Sequence, residues 1–249
     1  MPTHLYCLIP ATSHRPELVP SAGLDDAPVR ALAAGAFVAW VSATELGTIP
    51  RDAGAIQSIV RAHDRVIGGA IRAAITVVPA LVTTPYPDDA RCAEDAASRA
   101  PELERLAARV RDRVEMAILL TAPARPPEAR PETPGAGPGR RYLEAARAGA
   151  STEEVDRALD AAVDSLSAAL RGVTEGESRR RGVDHDSSAT RHGGVIHAIS
   201  HLVRRDTIRD YRHRVEIAAL PVGIRAVVDG PRAAYSFAVF TPSGTNLAN

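Results

Sequence analysis

The sequence predicts an α+β fold in two domains, on three observations. Short β-branched runs alternate with amphipathic helical stretches along the whole chain. Residues 122 to 139 hold six prolines and three glycines, which neither a continuous helix nor a central strand tolerates. At 249 residues and 45% apolar composition, the chain is long enough for each half to bury a core. The expected division is an N-terminal mixed α+β sheet domain over 1–121, an extended semi-rigid linker over 122–139, and a second α+β domain with a long helix over 140–249.

The N-terminal half reads β, β, β, α, β, α, β. His4 to Ile9 is an apolar strand stopped by Pro10, and residues 10 to 28 are a loop rich in Pro, Ser, Asp and Gly. Val29 to Ser42 holds two apolar segments broken by Ala33-Ala34-Gly35, which reads as a hairpin or short meander. Asp52 is the expected N-cap of a helix carrying Ile56, Ile59, Val60, His63, Val66, Ile67, Ala70, Ile71 and Ile75 on one face. Val77 to Thr83 is a strand whose Pro79 demands an edge or a bulge. After a loop through Tyr86 and Asp88-Asp89 the chain turns helical, and Val114 to Leu120 is a buried strand. The helices are expected on one face of the sheet.

Beyond the Pro/Gly interval, whose sharper alternative is a proline-recognition site, Arg140 to Ala150 begins a helical region. Ser151-Thr-Glu-Glu154 has the capping-box pattern, and Val155, Leu159, Val163, Leu166 and Leu170 form one stripe ended at Gly172. Gly172 to Gly194, with its Arg179-Arg180-Arg181 run and His185-Asp186 pair, reads as a solvated loop. Gly193 to Phe240 is then a strand, helix, strand, strand unit. Asp206 should cap the helix bearing Ile208, Tyr211 and Val215, and Val222, Ile224, Ala226 and Val228 should share one strand face. Gly230-Pro231 should make the turn that returns Tyr235-Ser-Phe237 along the sheet.

Charge and residue choice narrow the function. The formal net charge is zero and all thirty basic residues are arginine, so nothing marks a nucleic-acid or anionic-membrane partner. The lack of lysine removes Schiff-base chemistry and the usual phosphate-loop lysine, and it fits the codon bias of a GC-rich genome. Cys7 and Cys92 make no CxxC pair or disulfide framework, as expected of a reduced, cytosolic chain. No cationic segment with a following apolar run marks a signal peptide at the N-terminus, and Ala31 to Thr44 is shorter than the ~20 apolar residues of a membrane span.

Searches for chemistry converge on nothing. There is no GxSxG elbow, Walker loop, post-strand GxGxxG or paired-Cys ligand set. His192, His197 and His201 suggest zinc, but VIHAISHLV is strand-like, and on a strand positions 197 and 201 lie about 13 Å apart. His63 reads as a core-edge histidine bonded to backbone. Asp88-Asp89 and Asp184/Asp186 lack the spacing of a calcium loop. No catalytic, cofactor or metal residue is assigned, and the partner-binding residues stay unassigned.

Seven segments, in order, resemble the gas vesicle protein L/F family (GvpL/GvpF). They are the strand HLYCLIP, the run GLDDAPVRALAAGAFVAWVS, Ala62-His63-Asp64, VVPALVT, VEMAILL, GPGRRYLEAAR, and the pair SHLVRRDTIRDYRHRVE and DGPRAAYSF. Leu81-Val82-Thr83-Thr84 stands where the family commonly shows Arg-Phe-Gly-Thr, and Arg232-Ala233-Ala234 where it tends to show Trp-Pro-Pro. The resemblance implies a modified ferredoxin-like second domain. It also implies a non-enzymatic accessory or minor structural protein of gas vesicle assembly, cytoplasmic and vesicle-associated. Its implied partners are the hydrophobic shell protein and other vesicle accessory proteins, met through a sheet edge or apolar groove. The alternative is a ferredoxin-like small-molecule or metal-binding regulatory module. Near-neutral charge argues for a non-halophilic, GC-rich bacterial source.

Overall fold

The computed structural model describes residues 1–45, 52–82, 85–122, 138–181 and 196–243; at 138–153, 180–181 and 196 it describes the backbone alone. The chain forms two compact units. One comprises Met1–Met116, His201–Asp206 and Gly230–Asn249, and the other Ala117–Ser200 and Thr207–Asp229. The whole is α+β with two four-stranded sheets.

In the first unit, β1 (Thr3–Pro10) pairs antiparallel with β3 (Phe37–Ala43), which pairs with β2 (Arg30–Ala34) as a hairpin. The hairpin loop is Gly35-Ala36, and Gly35 takes φ 64, the conformation that the first central residue of such a two-residue loop requires. β4 (Val78–Pro79) joins the other side of β1, giving the order β2-β3-β1-β4. Pro79 therefore sits on an edge strand, where a missing N–H costs no ladder bond.

Helix α1 (Ala53–Arg72) begins as its sequence signals: Asp52 Oδ2 accepts from the Ala55 N–H at 2.8 Å. The second helical stretch is two helices, α2 (Asp89–Ser98) and α3 (Ala100–Val110), because Pro101 fits only the first turn of a new helix. These helices cover opposite faces, and the one-face expectation is corrected here. Leu5 and Leu8 pack with Cys92, Ala96, Leu103 and Ala107 of α2 and α3, whereas His4 and Tyr6 meet His63 of α1. A bulge at Tyr6, where the register jumps between Leu5 and Cys7, makes this division of β1.

Helices α1 and α3 both end in left-handed non-glycine residues, Ala74 at φ 59 and Asp112 at φ 57. Arg205 bridges those ends: its Nη1 donates to the Ile71 carbonyl at 2.8 Å, and its backbone N–H to the Asp112 carbonyl at 2.9 Å. A guanidinium is the favourable charge for the negative end of a helix dipole. Partial burial lowers the Arg205 pKa, and the Asp112 charge opposes that shift.

The second sheet has the order β6-β7-β5-β8, from β5 (Arg113–Thr121), β6 (Thr174–Arg181), β7 (Ile196–Arg204) and β8 (Arg225–Arg232). Strand β6 corrects the loop expected over 172–194. Its inner positions Thr174, Gly176 and Ser178 carry no apolar side chain, so the period-2 signal is absent from the sequence. It forms as the charged edge that apolar β7 needs on that side, with Glu175, Glu177 and Arg179 exposed. His185, Asp186 and His192 lie outside the described residues, as do 123–137 of the Pro/Gly interval.

Helix α4 (Pro138–Ala169) runs straight through Ser151–Glu154, so the capping-box pattern marks no helix start. The Tyr142–Ala150 run is rich in good helix formers and carries the helix through it. Its stripe is buried at Leu159, Val163, Leu166 and Leu170. Helix α5 (Ile208–Ile217) is tied to it: Ser165 Oγ donates to the Ala219 carbonyl at 2.7 Å, and Arg214 Nη1 to the Ala169 and Arg171 carbonyls at 3.2 Å each.

Three expectations near α5 are corrected. The N-cap position is Thr207; Asp206 sits in the preceding 3-10 turn, its carboxylate accepting from the Arg204 guanidinium at 2.8 and 3.1 Å. Val222 lies before β8 and is fully exposed, while Ala226 and Val228 do share the more covered face. Gly230-Pro231, joined by a cis bond, belongs to β8 itself, an edge strand that accepts proline. The reversal comes later, where the Phe237 and Ala238 N–H groups donate to the Ala234 carbonyl. Gly230 at φ 118 is a position for glycine alone, since a Cβ there would stand 2.9 Å from the Glu115 carbonyl oxygen.

Candidate functional site

Gly230 to Ser243 belong to the first unit, and the motif-bearing side chains meet along that segment. Glu115 of β5 is the centre of it. Its carboxylate is 1% exposed and accepts from the Ser236 N–H at 2.8 Å, the Ser236 hydroxyl at 3.0 Å and the Arg232 guanidinium at 2.7 Å. Four donor contacts on one buried carboxylate, counting Arg232 Nε at 3.2 Å, satisfy a charge that would otherwise be prohibitive to bury.

Two further ties follow. Tyr235 donates its hydroxyl to Asp64 Oδ1 at 3.0 Å, joining the tail to α1. Burial, then the Asp64 charge, push the Tyr235 pKa up, so the phenol remains a donor. Phe240 is fully buried, its N–H donates to the Pro79 carbonyl and its carbonyl accepts from Leu81, each at 2.8 Å. The Arg99 guanidinium stacks on its ring at 4.2 Å and donates to the Thr241 carbonyl at 2.6 Å.

Further along, Asp95 accepts from the Ser243 N–H at 2.9 Å, from the Ser243 hydroxyl and from the Tyr86 hydroxyl at 2.5 Å. Burial pushes the Asp95 carboxyl up, yet the Ser243 and Tyr86 donors outweigh it and hold the group below its ordinary value. Replacing Phe240 with leucine is expected to cost about 1–2 kcal/mol, from lost ring volume and the lost cation–π contact. Chemical denaturation of the full chain measures this, and an unchanged midpoint would refute the role of the ring.

Beside Tyr235 lies a buried histidine pair. His4 Nε2 and His63 Nδ1 are 2.9 Å apart, and the His63 ring lies 5.3 Å from that of Tyr6 and 6.3 Å from that of Tyr235. Tyr6 in turn shares a 2.8 Å hydrogen bond with Ser42 and accepts from the Leu24 N–H at 2.7 Å. His63 is thus fully buried rather than at the edge of the core, and it is paired with a histidine 59 residues away in the chain. Burial lowers the His4 pKa to about 4, and burial with the facing His4 lowers that of His63 to about 3. Both rings are neutral at neutral pH.

His197 and His201 are both buried on strand β7, at the strand-like spacing expected. Among the described residues no group of three or more His, Cys, Asp or Glu is placed to hold a metal ion. Asp88 caps α2 by accepting from the Arg91 N–H at 2.9 Å, and Asp89 binds the Arg30 guanidinium and the Thr3 hydroxyl. Those bonds, Arg30 first, hold the Asp89 carboxyl below its usual range. Both cysteines are free and buried, and burial pushes the Cys92 thiol up to about 12, so it stays protonated and unreactive.

Sequence reading overlooked His4, Glu115 and Arg205 as individual residues. Each sits inside a motif, and a charged or polar residue within an otherwise apolar strand run, such as Glu115 in VEMAILL, was the available signal.

Comparison with known proteins places these motifs. Residues 2–239 match the family model of the gas vesicle synthesis protein GvpL/GvpF. The fold is similar to the crystal structure of the gas vesicle protein GvpF from Anabaena sp. PCC7120, at TM-score 0.70 and 14% identity, covering 95% of each chain. It is also similar to that of GvpF from Microcystis aeruginosa, at TM-score 0.68 and 14% identity, covering 95% of this chain and 98% of that one. No curated protein sequence matches the chain.

Proposed function

Matched over residues 2–239, the chain belongs to the gas vesicle synthesis protein GvpL/GvpF family, and from that premise we propose a non-enzymatic accessory or minor structural protein of gas vesicle assembly. It acts in the cytoplasm, associated with the vesicle, and binds the hydrophobic shell protein and other vesicle accessory proteins. The unit with β6 to β8, α4 and α5 is a modified ferredoxin-like fold in this reading. The family match carries the proposal, since it spans almost the entire chain.

Two features support it. The motif residues that a catalytic reading would need to converge on a cleft instead spend their donors and acceptors on the tail: Glu115, Asp64, Tyr235 and Ser236 are all bonded to one another's elements. Second, β2 closes its sheet with an edge of Ala31, Leu32, Ala33 and Ala34, the alanines at 31 and 33 exposed. Arg30 at the start of the strand is bound to Asp89, and the apolar stretch that follows it is the kind of edge that a strand of a hydrophobic partner can extend. A shell subunit with a water-repelling face needs such a holder until it is assembled.

The test is co-expression with the shell protein and each accessory protein, followed by pull-down on this chain. Retention of the shell protein is expected, and its loss in the Ala31→Lys/Ala33→Lys double variant, with an unchanged melting temperature. Failure to retain any vesicle protein would overturn the function; retention by the double variant would overturn the β2 edge as its contact.

A further inference from the structure

Strand β8 has a surface that matches itself. It is the terminal strand of its sheet, and its exposure alternates, with Arg225, Val227 and Asp229 outward. Val227 is 53% exposed. Together with Ile217 at 65% and Val222 at 103%, it makes three of the five large apolar side chains that are exposed among the described residues, all within eleven positions of the same unit. Residues 225 to 228 take part in no backbone hydrogen bond outside the sheet among the described residues.

We propose that β8 pairs antiparallel with β8 of a second copy of this chain, about a two-fold axis through Val227. In that register the outward face sets Arg225 against the partner's Asp229, Val227 against the partner's Val227 and Asp229 against the partner's Arg225. The inner face sets Ala226 against the partner's Val228. Opposite charges and β-branched pairs placed directly across a strand pair are stabilising, and like charges destabilising. Shifting the register by four residues either way puts Arg225 across from Arg225 or Asp229 across from Asp229, and a shift of two sets one of these charges across from Val227, so the alternatives lose the ion pairs or become repulsive. The exposed lead-in at Val222 is then carried alongside the partner's Pro231-Arg232 end and loses its water. An isologous contact of this kind closes at two copies. This inference stands apart from the assembly role and does not depend on it.

Analytical ultracentrifugation of the full chain tests it. The wild type is expected to sediment as a dimer. Arg225→Asp alone and Asp229→Arg alone each turn two attractive cross-strand pairs into two repulsive ones, which should weaken the dimer about tenfold or more. An equimolar mixture of those two variants restores complementarity at both positions, so it should form a heterodimer that neither forms by itself. Val227→Lys should be monomeric, and circular dichroism melts should show all three variants folded. A monomeric wild type at its highest soluble concentration, a dimer indifferent to these changes, or a mixture that stays monomeric would each overturn the pairing.

Discussion

Replacing Glu115 with alanine is expected to lower the melting temperature by roughly 6–12 °C, since losing one partner of a buried ion pair costs about 3 kcal/mol and each kcal/mol shifts a domain of this size by about 2–4 °C. The physical reason is the number of groups that depend on that carboxylate. Without it the Ser236 N–H and hydroxyl have no acceptor in the Glu115 position, and the Arg232 guanidinium, 42% exposed on its side chain, loses that carboxylate. Arg232→Ala should cost distinctly less, because Glu115 retains both Ser236 donors. Glu115→Gln should fall between, keeping the shape and one acceptor but losing the charge. Differential scanning calorimetry of the three variants gives the order directly. A Glu115→Ala protein that melts like wild type would show that the carboxylate does not hold the tail.

Acid is expected to destabilise the first unit well above the range in which carboxylates titrate. His4 and His63 are buried neutral, with folded pKa values of about 4 and about 3 against an ordinary 6.5. The unfolded chain therefore takes up protons first as pH falls through 6.5, which draws the equilibrium towards unfolding. The stability from these two groups is fully present above pH 7 and is lost steadily as pH falls, until the folded state also protonates near pH 4 and below. Between pH 7.5 and 5 the combined loss should be on the order of 3–4 kcal/mol, since each pH unit below 6.5 costs about 1.4 kcal/mol per buried neutral histidine. A midpoint measured by urea unfolding across that window should decline with falling pH. In a His4→Gln/His63→Leu variant the decline should be much shallower, even though the variant starts less stable. A wild-type profile that is flat, or that rises towards pH 5, would be incompatible with the buried pair.

Much of the fold can be read before any coordinates. The helix start at Asp52, the edge position of Pro79, the central strand around Glu115 and the stripe from Leu159 to Leu170 all follow from local patterns, because each depends on residues within one or two turns of itself. The errors have a common source as well. Thr174 to Arg181 has no apolar alternation, and it is a strand because β7 needs a neighbour. Ser151 to Glu154 has every local mark of a helix start, yet the helix that begins at Pro138 passes through it. Gly230-Pro231 looks like a turn in isolation, and at the margin of a sheet it is strand. In each case a weak local preference, worth about 1 kcal/mol or less, is set aside by pairing or packing with distant chain.

The candidate site divides in the same way. Composition and motif order determined, without a structure, that the chain is α+β, that no familiar catalytic or metal-binding pattern runs along it, and which segments resemble the gas vesicle family. Residue identity carries that information directly, since helix caps, apolar periods and ligand spacings are written within short stretches. Only the tertiary structure decided that Glu115 would receive Ser236 from 121 residues away, that His63 would face His4, and that Arg205 would join two helix ends. Those contacts close long stretches of chain, and their partners become neighbours only once both faces of β1 have been covered. Nothing in a local pattern distinguishes a polar residue that will be buried against such a partner from one left in water.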